Sequence, residues 1–118
     1  MSDSLTEITR DILRFRNERD WAQFHTPRNL AAALAIEVAE LQEEMLWKSD
    51  QDVDHFLHRP DARKRVANEI GDVLIYALLL AHACEIEPLT AVREKIALNA
   101  AKYPVEKARG KSTKYTDL

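Results

Sequence analysis

Residues that break helices are scarce in this chain, and this scarcity constrains its fold more than any other feature. The 118 residues include two glycines and four prolines, the prolines at positions 27, 60, 88 and 104. Proline is tolerated in the first turn of a helix and disrupts the interior, so each one marks a helix boundary. The segments between them are rich in Ala, Leu, Glu, Lys and Arg and contain no long run of alternating β-branched residues. The sequence therefore predicts an all-α fold.

Four long helices are predicted, joined by short connections. The first begins with a capping box from Ser4 to Glu7, the second has Thr26 as its N-cap, and the fourth is stopped by Pro104. The expected bounds are about 4–20, 26–48, 61–83 and 88–103. Residues 49–60 are polar and are expected to form a loop with one helical turn around Val53 to Leu57. Helices of this length with short loops favour an antiparallel four-helix bundle.

Composition indicates a single domain, residues 1–118, with a basic tail from about 104 to 118. A net charge of −3 lacks the basic excess of a surface that binds a nucleic-acid polymer. The single cysteine, Cys84, lies in an apolar stretch and is expected to be buried. No basic-then-apolar leader is apparent, and the longest apolar run, residues 73–81, is about half of the roughly 20 residues that span a bilayer. A cytoplasmic protein without a membrane partner is expected.

Two pairs of acids lie within the most apolar segments. Glu37 and Glu40 lie among apolar residues of the second predicted helix, and Glu69 and Asp72 lie among those of the third. Residues three apart face the same side of a helix, so antiparallel pairing of these helices would bring the four carboxylates together. Buried carboxylates repel one another unless protons or cations neutralise them, and an oxygen-only ligand set favours Mg²⁺, or Mn²⁺ as a substitute, over iron or zinc. The pattern indicates a metal site, although an isolated E-x-x-E pair is more often a surface feature.

The order of acidic, aromatic and basic residues resembles the all-α nucleoside triphosphate pyrophosphohydrolases, the MazG-like superfamily. The signature of that superfamily is E-x-x-E followed one helix later by E-x-x-D, as in the two acid pairs of this chain. The similarity is greatest to the dCTP pyrophosphatase branch and extends from about Leu5 to the Lys-Tyr-Thr near Leu118. The further shared stretches are Glu18-Arg-Asp-Trp21 through Phe24-His25, Pro27-Arg-Asn-Leu30, Trp47-Lys48, Asp72-Val-Leu-Ile-Tyr76, and Lys95, Asn99 and Lys102-Tyr103-Pro104.

This resemblance implies a magnesium-dependent enzyme of nucleotide-pool house-cleaning. The implied reaction converts a dNTP, namely dCTP or a 5-modified dCTP, and water to the monophosphate and pyrophosphate. The resemblance assigns Glu37, Glu40, Glu69 and Asp72 to metal binding and catalysis. It assigns substrate binding to Trp21, His25, Trp47 and Tyr76 at the base and to Lys95, Asn99, Lys102 and Tyr103 at the triphosphate. It also implies a homo-oligomer, a dimer or a tetramer.

Several of these residues have simpler explanations. Trp47 is equally compatible with a place in the core, and Phe24 and His25 with packing that closes a turn. The four-residue spacing of Lys95, Asn99 and Tyr103 also suits a solvated helix face. Ile36 stands where the family often has an additional Glu, which bears on the number of metal ions. The rival functions are a related all-α enzyme with another base preference, such as a dUTPase or a broad dNTPase, and a non-catalytic helical interaction module.

Overall fold

Prolines and capping residues begin the helices of the protein where the sequence predicts. The computed structural model describes residues 4–118, and within them it contains helices and no strand, so the all-α prediction is confirmed. The expectation of no leader sequence also concerns residues 1–3, which lie outside the described residues. Six helices are present: α1 Leu5–Glu18, α2 Pro27–Glu43, α3 Asp50–Leu57, α4 Pro60–Ala83, α5 Pro88–Lys102 and α6 Val105–Ala108. Four of them, α1, α2, α4 and α5, are the predicted long helices.

Side-chain caps explain why the long helices start at these positions. The Ser4 hydroxyl accepts a hydrogen bond from the Glu7 amide at 3.1 Å, and the Thr26 hydroxyl accepts one from the Asn29 amide at 3.3 Å. The Glu87 carboxylate accepts from two backbone amides in the first turn of α5. Each such bond satisfies a backbone N–H that the helix itself leaves without an acceptor. Prolines occupy the first turn of α2, α4 and α5.

Two expectations are wrong, and both concern the segment between the second and third predicted helices. Residues 49–60 contain a full helix, α3, because the Ser49 hydroxyl accepts from the Asp52 amide at 3.1 Å and acids in the first turn favour the N-terminal dipole. The second helix ends at Glu43, not near residue 48. The chain then turns, and Trp47 adopts a φ of 63°, which interrupts a right-handed helix.

Contacts divide the chain into two units, Met1–Glu85 and Ile86–Leu118. In the first, α2 and α4 pack along each other, and α1 and α3 pack against α4. The direction of the α2–α4 pair follows from its contacts. Glu44 pairs with Arg65 at 3.3 Å, whereas Glu37, two turns earlier in α2, interacts electrostatically with Asp72, two turns later in α4. The two helices are therefore antiparallel, as the spacing of the acids predicts.

The core of the first unit is small. Phe56, Ala62 and Val66 form a buried group, with Leu41 and Met45 packed against it. At the other end of the α2–α4 pair, Leu30 and Leu79 are buried. In the described part of the chain, the only buried apolar side chains are these two and those of Phe56, Ala62 and Val66. The carboxylates of α2 and α4 lie between these two apolar regions.

Large parts of α4 are exposed in the single chain. By length and composition, α4 is the one helix among residues 4–118 that could cross a membrane, a criterion that the core helix of a soluble protein also meets. Ile70 and Leu74 on this helix are 45% and 57% exposed. Cys84, which follows α4, is exposed as well, so the expectation of a buried cysteine is wrong for the single chain. It lies at the C-terminal cap, beyond the last packed turn.

The second unit consists of α5, α6 and a 3-10 turn at Tyr115–Asp117. The tail folds back on the end of α5: the Tyr103 and Tyr115 rings meet edge to face at 5.9 Å, and the Lys102 ammonium lies 4.8 Å from the Tyr115 ring centroid. No residue of α5 is buried. The basic tail is thus ordered and contains the short helix α6.

Candidate metal centre and adjoining cavity

Three carboxylates converge where α2 and α4 run side by side. Glu37 and Glu40 lie on α2 and Glu69 lies on α4, and one carboxylate oxygen of each falls within 4.8 Å of the others. We call these three residues the carboxylate cluster. Asp72 lies one turn beyond Glu69 on α4 and borders the cluster, close enough for its charge to act on Glu37. The antiparallel register therefore brings together the two predicted acid pairs.

The environment of the cluster disfavours negative charge. Burial, contact with the Glu40 carboxyl and repulsion from Glu40, Asp72 and Glu69 raise the pKa of Glu37 from 4.5 to about 7. Burial, followed by repulsion from Glu40 and Asp72, raises the pKa of Glu69. Buried carboxylates in close contact titrate in this direction because their mutual repulsion adds to the loss of hydration.

Two oxygens of the cluster lack any hydrogen-bond partner. Glu37 Oε2 and Glu69 Oε2 are buried, and no donor in residues 4–118 reaches them. Buried polar atoms normally have a partner, so two unsatisfied carboxyl oxygens in one cluster leave room for a cation. Carboxylate oxygens are the ligands that hard divalent ions prefer, so the donor set fits such an ion.

Surface ion pairing, the alternative explanation for these acids, does not apply to them. Within the described residues, no arginine or lysine nitrogen lies within 4.0 Å of a carboxylate oxygen of Glu37, Glu40, Glu69 or Asp72. That explanation does hold for Glu44, one turn after Glu40, which pairs with Arg65. Surface ion pairing thus explains Glu44 and does not explain the carboxylate cluster.

A cavity of about 510 Å³ adjoins the cluster in the first unit. Its walls are a stripe of α1 and a stripe of α4, and the loop between α1 and α2 contributes two further residues. Three-residue and four-residue intervals place these side chains on one face of each helix. The cavity brings together four of the predicted site residues: Trp21, His25, Asp72 and Tyr76. Most of the remaining lining is apolar, including Ile12 and Phe15.

The loop residues are held in the cavity wall by aromatic contacts. The Trp21 ring meets the Phe15 ring edge to face at 5.8 Å and lies 6.5 Å from the His25 ring. His25 Nδ1 is buried without a hydrogen-bond partner among the described residues. Phe24 is 59% exposed and is absent from the lining. The structure thus distinguishes two neighbours that the sequence did not: His25 faces the cavity and Phe24 does not.

Tyr76 connects the cavity to the carboxylates. It lies one turn after Asp72 on α4, and both residues line the cavity. Burial, followed by the charges of Glu37, Asp72 and Glu40, raises the pKa of the Tyr76 phenol. The phenol therefore keeps its proton and remains a hydrogen-bond donor close to the acids.

Trp47 lies apart from this cavity in the single chain. Its side chain is 94% exposed, so the alternative explanation, a place in the core of its own chain, does not hold. It is also absent from the residues that line the cavity, so one chain does not form the predicted second aromatic wall. A positive φ is unusual for a bulky residue, and such conformations concentrate at functional positions.

The predicted triphosphate residues belong to the second unit. Lys95, Asn99, Lys102 and Tyr103 are all exposed, at the four-residue spacing of one helix stripe plus one flanking position. The Tyr103 amide donates to the Asn99 carbonyl at 2.8 Å, which ends α5. These residues form a polar surface stripe within their own unit.

Two charged residues of the cavity wall do not appear among the predicted site residues. Asp11 and Arg16 line the cavity from α1, on the same face as Ile8 and Ile12. In the sequence, only their five-residue separation and the apolar stripe between them could have indicated that both residues line a site. A charged residue beside an apolar stripe is the normal edge of an amphipathic helix, and this concealed them.

Fold and site together define a class: an all-α protein with a cluster of unpaired carboxylates beside a cavity with aromatic walls. Residues 32–118 match the MazG-like family, and the chain belongs to that family. It is 44% identical over 115 residues to dCTP pyrophosphatase 1 of Rattus norvegicus and 43% identical to that of Homo sapiens. Each alignment covers 98% of this chain and 68% of the relative. A solved structure of a pyrophosphatase from Archaeoglobus fulgidus is 42% identical with a TM-score of 0.79, covering 85% of this chain and 92% of that one. The predicted family and its dCTP pyrophosphatase branch are confirmed.

Proposed function

We propose that the protein is a nucleoside triphosphate pyrophosphohydrolase that converts dCTP, or a 5-modified dCTP, to the monophosphate and pyrophosphate. The observation that carries the proposal is the pair of unsatisfied buried oxygens, Glu37 Oε2 and Glu69 Oε2, beside a cavity of nucleoside size. The relatives named dCTP pyrophosphatase 1 support the choice of base. House-cleaning of the nucleotide pool in the cytoplasm is the role that this reaction would serve.

The cofactor we propose is Mg²⁺, with Mn²⁺ as a substitute, held by Glu37, Glu40, Glu69 and Asp72. When bound, magnesium neutralises phosphate charge and activates a water for attack on the α-phosphorus. Support comes from the oxygen-only donor set and from the absence of a competing ion pair in the described part of the chain. Divalent magnesium normally keeps waters and substrate phosphates among its ligands, which suits a centre open to a cavity.

The cavity would hold the nucleoside. Trp21 offers a flat apolar face for stacking on a pyrimidine, a contact that every base can make. His25 and Tyr76 supply hydrogen-bonding groups at different points of the wall. Tyr76, between the base and the acids, would orient the sugar and exclude water from the reacting phosphate. Stacking provides affinity, and the polar groups provide orientation.

The stripe of Lys95, Asn99, Lys102 and Tyr103 would bind the triphosphate. Ammonium groups supply charge, and an amide and a phenol supply directional hydrogen bonds to phosphate oxygens. All four residues are exposed in the second unit, and Lys102 and Tyr103 also contact the Tyr115 ring. The family resemblance gives the stripe this role, and its four-residue spacing makes the role geometrically consistent.

We also propose a homo-oligomer, a dimer or a tetramer, in which neighbouring subunits share pockets. Five fully buried apolar side chains in residues 4–118 make a small core for a domain of this length. Apolar residues on α5, including Val92, Ile96 and Leu98, are more than half exposed. Burial of such surfaces drives association. Trp47, whose indole contacts nothing in its own chain that would bury it, would then serve a neighbour's pocket.

Product analysis of a dNTP panel, with Mg²⁺ and with EDTA, tests the proposal. We expect magnesium-dependent release of pyrophosphate, fastest from dCTP and its 5-substituted forms. Glu40→Gln and Asp72→Asn should abolish turnover, whereas Glu43→Gln, an exposed acid on the same helix, should leave it intact. Orthophosphate as the product would contradict the reaction, and a preference for dUTP or no preference would contradict the base. A chain without magnesium-dependent turnover would be an interaction module.

A further inference from the structure

Arg16 lines the cavity and has two donor groups that no acceptor among residues 4–118 uses. The residue is half-buried, and its Nε donates to Asn17 Oδ1 at 3.1 Å. Within residues 4–118 its two Nη groups have no hydrogen-bond acceptor, and it forms no ion pair. Two nearby arginines are engaged: Arg14 pairs with Asp11 at 3.6 Å, and Arg19, the C-cap of α1, covers the Phe15 ring at 3.7 Å. Because Arg16 lines the cavity, these free donors are available to a ligand that enters it.

The neighbours of Arg16 place it in the nucleoside cavity. Its carbonyl accepts a hydrogen bond from the Trp21 amide at 3.1 Å, so the aromatic loop is anchored on this residue. Burial, and secondarily the Arg16 charge, lowers the pKa of His25. His25 is therefore neutral near pH 7, and Arg16 is the fixed cation among the described lining residues. The Asp11 carboxylate in the same wall already interacts with Arg14.

The α2–α4 register places Arg16 at the end of the cavity away from the acids. Because Glu37 lies close enough to Asp72 for their charges to repel, and Glu44 pairs with Arg65, the start of α2 lies level with the last turn of α4. His25 precedes Thr26, the N-cap of α2, and lines the cavity together with Leu79, seven residues beyond Asp72. Seven residues of helix rise about 10 Å. A nucleotide whose phosphates meet the carboxylate centre would thus present its base to Arg16 and His25.

We propose that Arg16 is a specificity-determining residue that reads the acceptor edge of the pyrimidine. The proposal rests on the proposed function and extends it to the choice of base. Cytosine presents two adjacent acceptors, O2 and the unprotonated N3, and the two Nη groups of a guanidinium match such a pair. Uracil and thymine carry a proton on N3, so a donor would face a donor at that position. Arg16 therefore favours cytosine over uracil, while stacking on Trp21 does not distinguish them.

Kinetics and nucleoside binding of Arg16 variants test this inference. For Arg16→Ala we expect KM for dCTP to rise about 10-fold to 100-fold, the range of one or two hydrogen bonds from a charged donor, with kcat changed less than a few-fold. KM for dUTP should change little, so the preference for dCTP disappears. Arg16→Lys should restore part of it, because an ammonium donates to one acceptor. Arg10→Ala, an exposed arginine on the same helix and outside the lining, is the matched control.

Ligands without phosphate separate base reading from phosphate binding. Calorimetry should show weaker binding of deoxycytidine to Arg16→Ala by the same factor as the KM change, with pyrophosphate binding unaltered. Equal losses for dCTP and dUTP, or weaker pyrophosphate binding, would assign Arg16 to the phosphates and overturn the inference. Unchanged deoxycytidine binding would overturn it too. Arg16→Gln, which keeps most of the side-chain volume, replaces the alanine variant if circular dichroism shows that variant unfolded.

The same experiments distinguish this inference from the proposed function. If the wild-type protein hydrolyses no dNTP but binds deoxycytidine in an Arg16-dependent manner, the enzymatic proposal fails and base reading stands. If the wild-type protein hydrolyses dCTP and the Arg16 variants keep the same dCTP to dUTP ratio, the enzymatic proposal stands and base reading fails.

Discussion

Replacing Glu37 with glutamine should stabilise the metal-free protein, because this carboxyl loses its proton in an unfavourable environment. Its pKa rises from 4.5 to about 7 on folding, owing first to burial and then to Glu40, Asp72 and Glu69. A rise of that size corresponds to about 3 kcal/mol. Because the side chain is only partly buried, solvent screening reduces the effect to about 1–2 kcal/mol. Glutamine removes the charge and keeps the shape.

The pH dependence follows from the direction of this pKa. A raised folded-state pKa means that the folded protein binds the proton more tightly than the unfolded chain. The protonated carboxyl therefore favours folding below about pH 4.5, and this stability is lost as the pH rises towards 7. At pH 8 in EDTA, Glu37→Gln should exceed the wild type by about 1–2 kcal/mol, whereas at pH 5 the two should be nearly equal.

Denaturant unfolding at fixed protein concentration measures this difference, since oligomerisation makes stability depend on concentration. Saturating Mg²⁺ should reverse the order, because the wild type gains binding free energy that the variant partly lacks. Glu43→Gln is the control and should show neither effect. Two results would refute the reasoning: a Glu37→Gln protein less stable than the wild type at pH 8 in EDTA, or a stabilisation of equal size at pH 5 and pH 8.

Three further predictions concern the metal centre, the α2–α4 contact and the exposed tryptophan. Asp72→Asn should lower kcat at least about 100-fold while circular dichroism stays unchanged, since removing one charge from a metal centre affects catalysis more than folding; unaltered kcat would remove Asp72 from the site. Arg65→Ala should lower the free energy of unfolding by about 0.5–1 kcal/mol, because the pair with Glu44 is partly exposed; a loss of several kcal/mol would show that the pair supports the carboxylates directly. Trp47→Ala should leave the melting temperature of a dilute sample within a few degrees but raise KM for dCTP, and an unchanged KM would show that the indole lies outside every pocket.

Local rules were sufficient for much of this fold. Helices begin at Ser4, at Thr26 and at the prolines because of hydrogen bonds and ring geometry within a single turn. The sequence therefore contains all the information needed to predict these helix starts. Helix α3 was missed because its cap, Ser49, stands in a polar segment that also suits a loop. The end of α2 was missed because the left-handed turn at Trp47 lacks the glycine that usually marks one.

The parts of the site that depend on spacing within one helix could be predicted from the sequence, and the parts that depend on packing between helices could not. The acid pairs follow from three-residue spacing plus an antiparallel neighbour, so the carboxylate cluster emerged from the residues alone. The cavity depends on the packing of α1 against α4, and its loop residues, Trp21 and His25, were identified by family resemblance. Arg16 was not found by either argument, because only tertiary structure shows that this residue lines a cavity and that its Nη groups lack acceptors. Cys84 was misjudged because an apolar neighbourhood in sequence does not guarantee a covering neighbour in space.

The left-handed turn at Trp47 lowers the stability of the single chain, and the indole makes no contact in that chain that would compensate. Glycine would occupy a φ of 63° without steric conflict, whereas a bulky L-residue pays roughly 1 kcal/mol or more there. The indole offsets none of this within its own chain, where it is 94% exposed. Trp47→Gly should therefore leave the isolated subunit no less stable, so selection for folding alone would not keep a tryptophan at this turn. Whatever favours the indole must act between molecules.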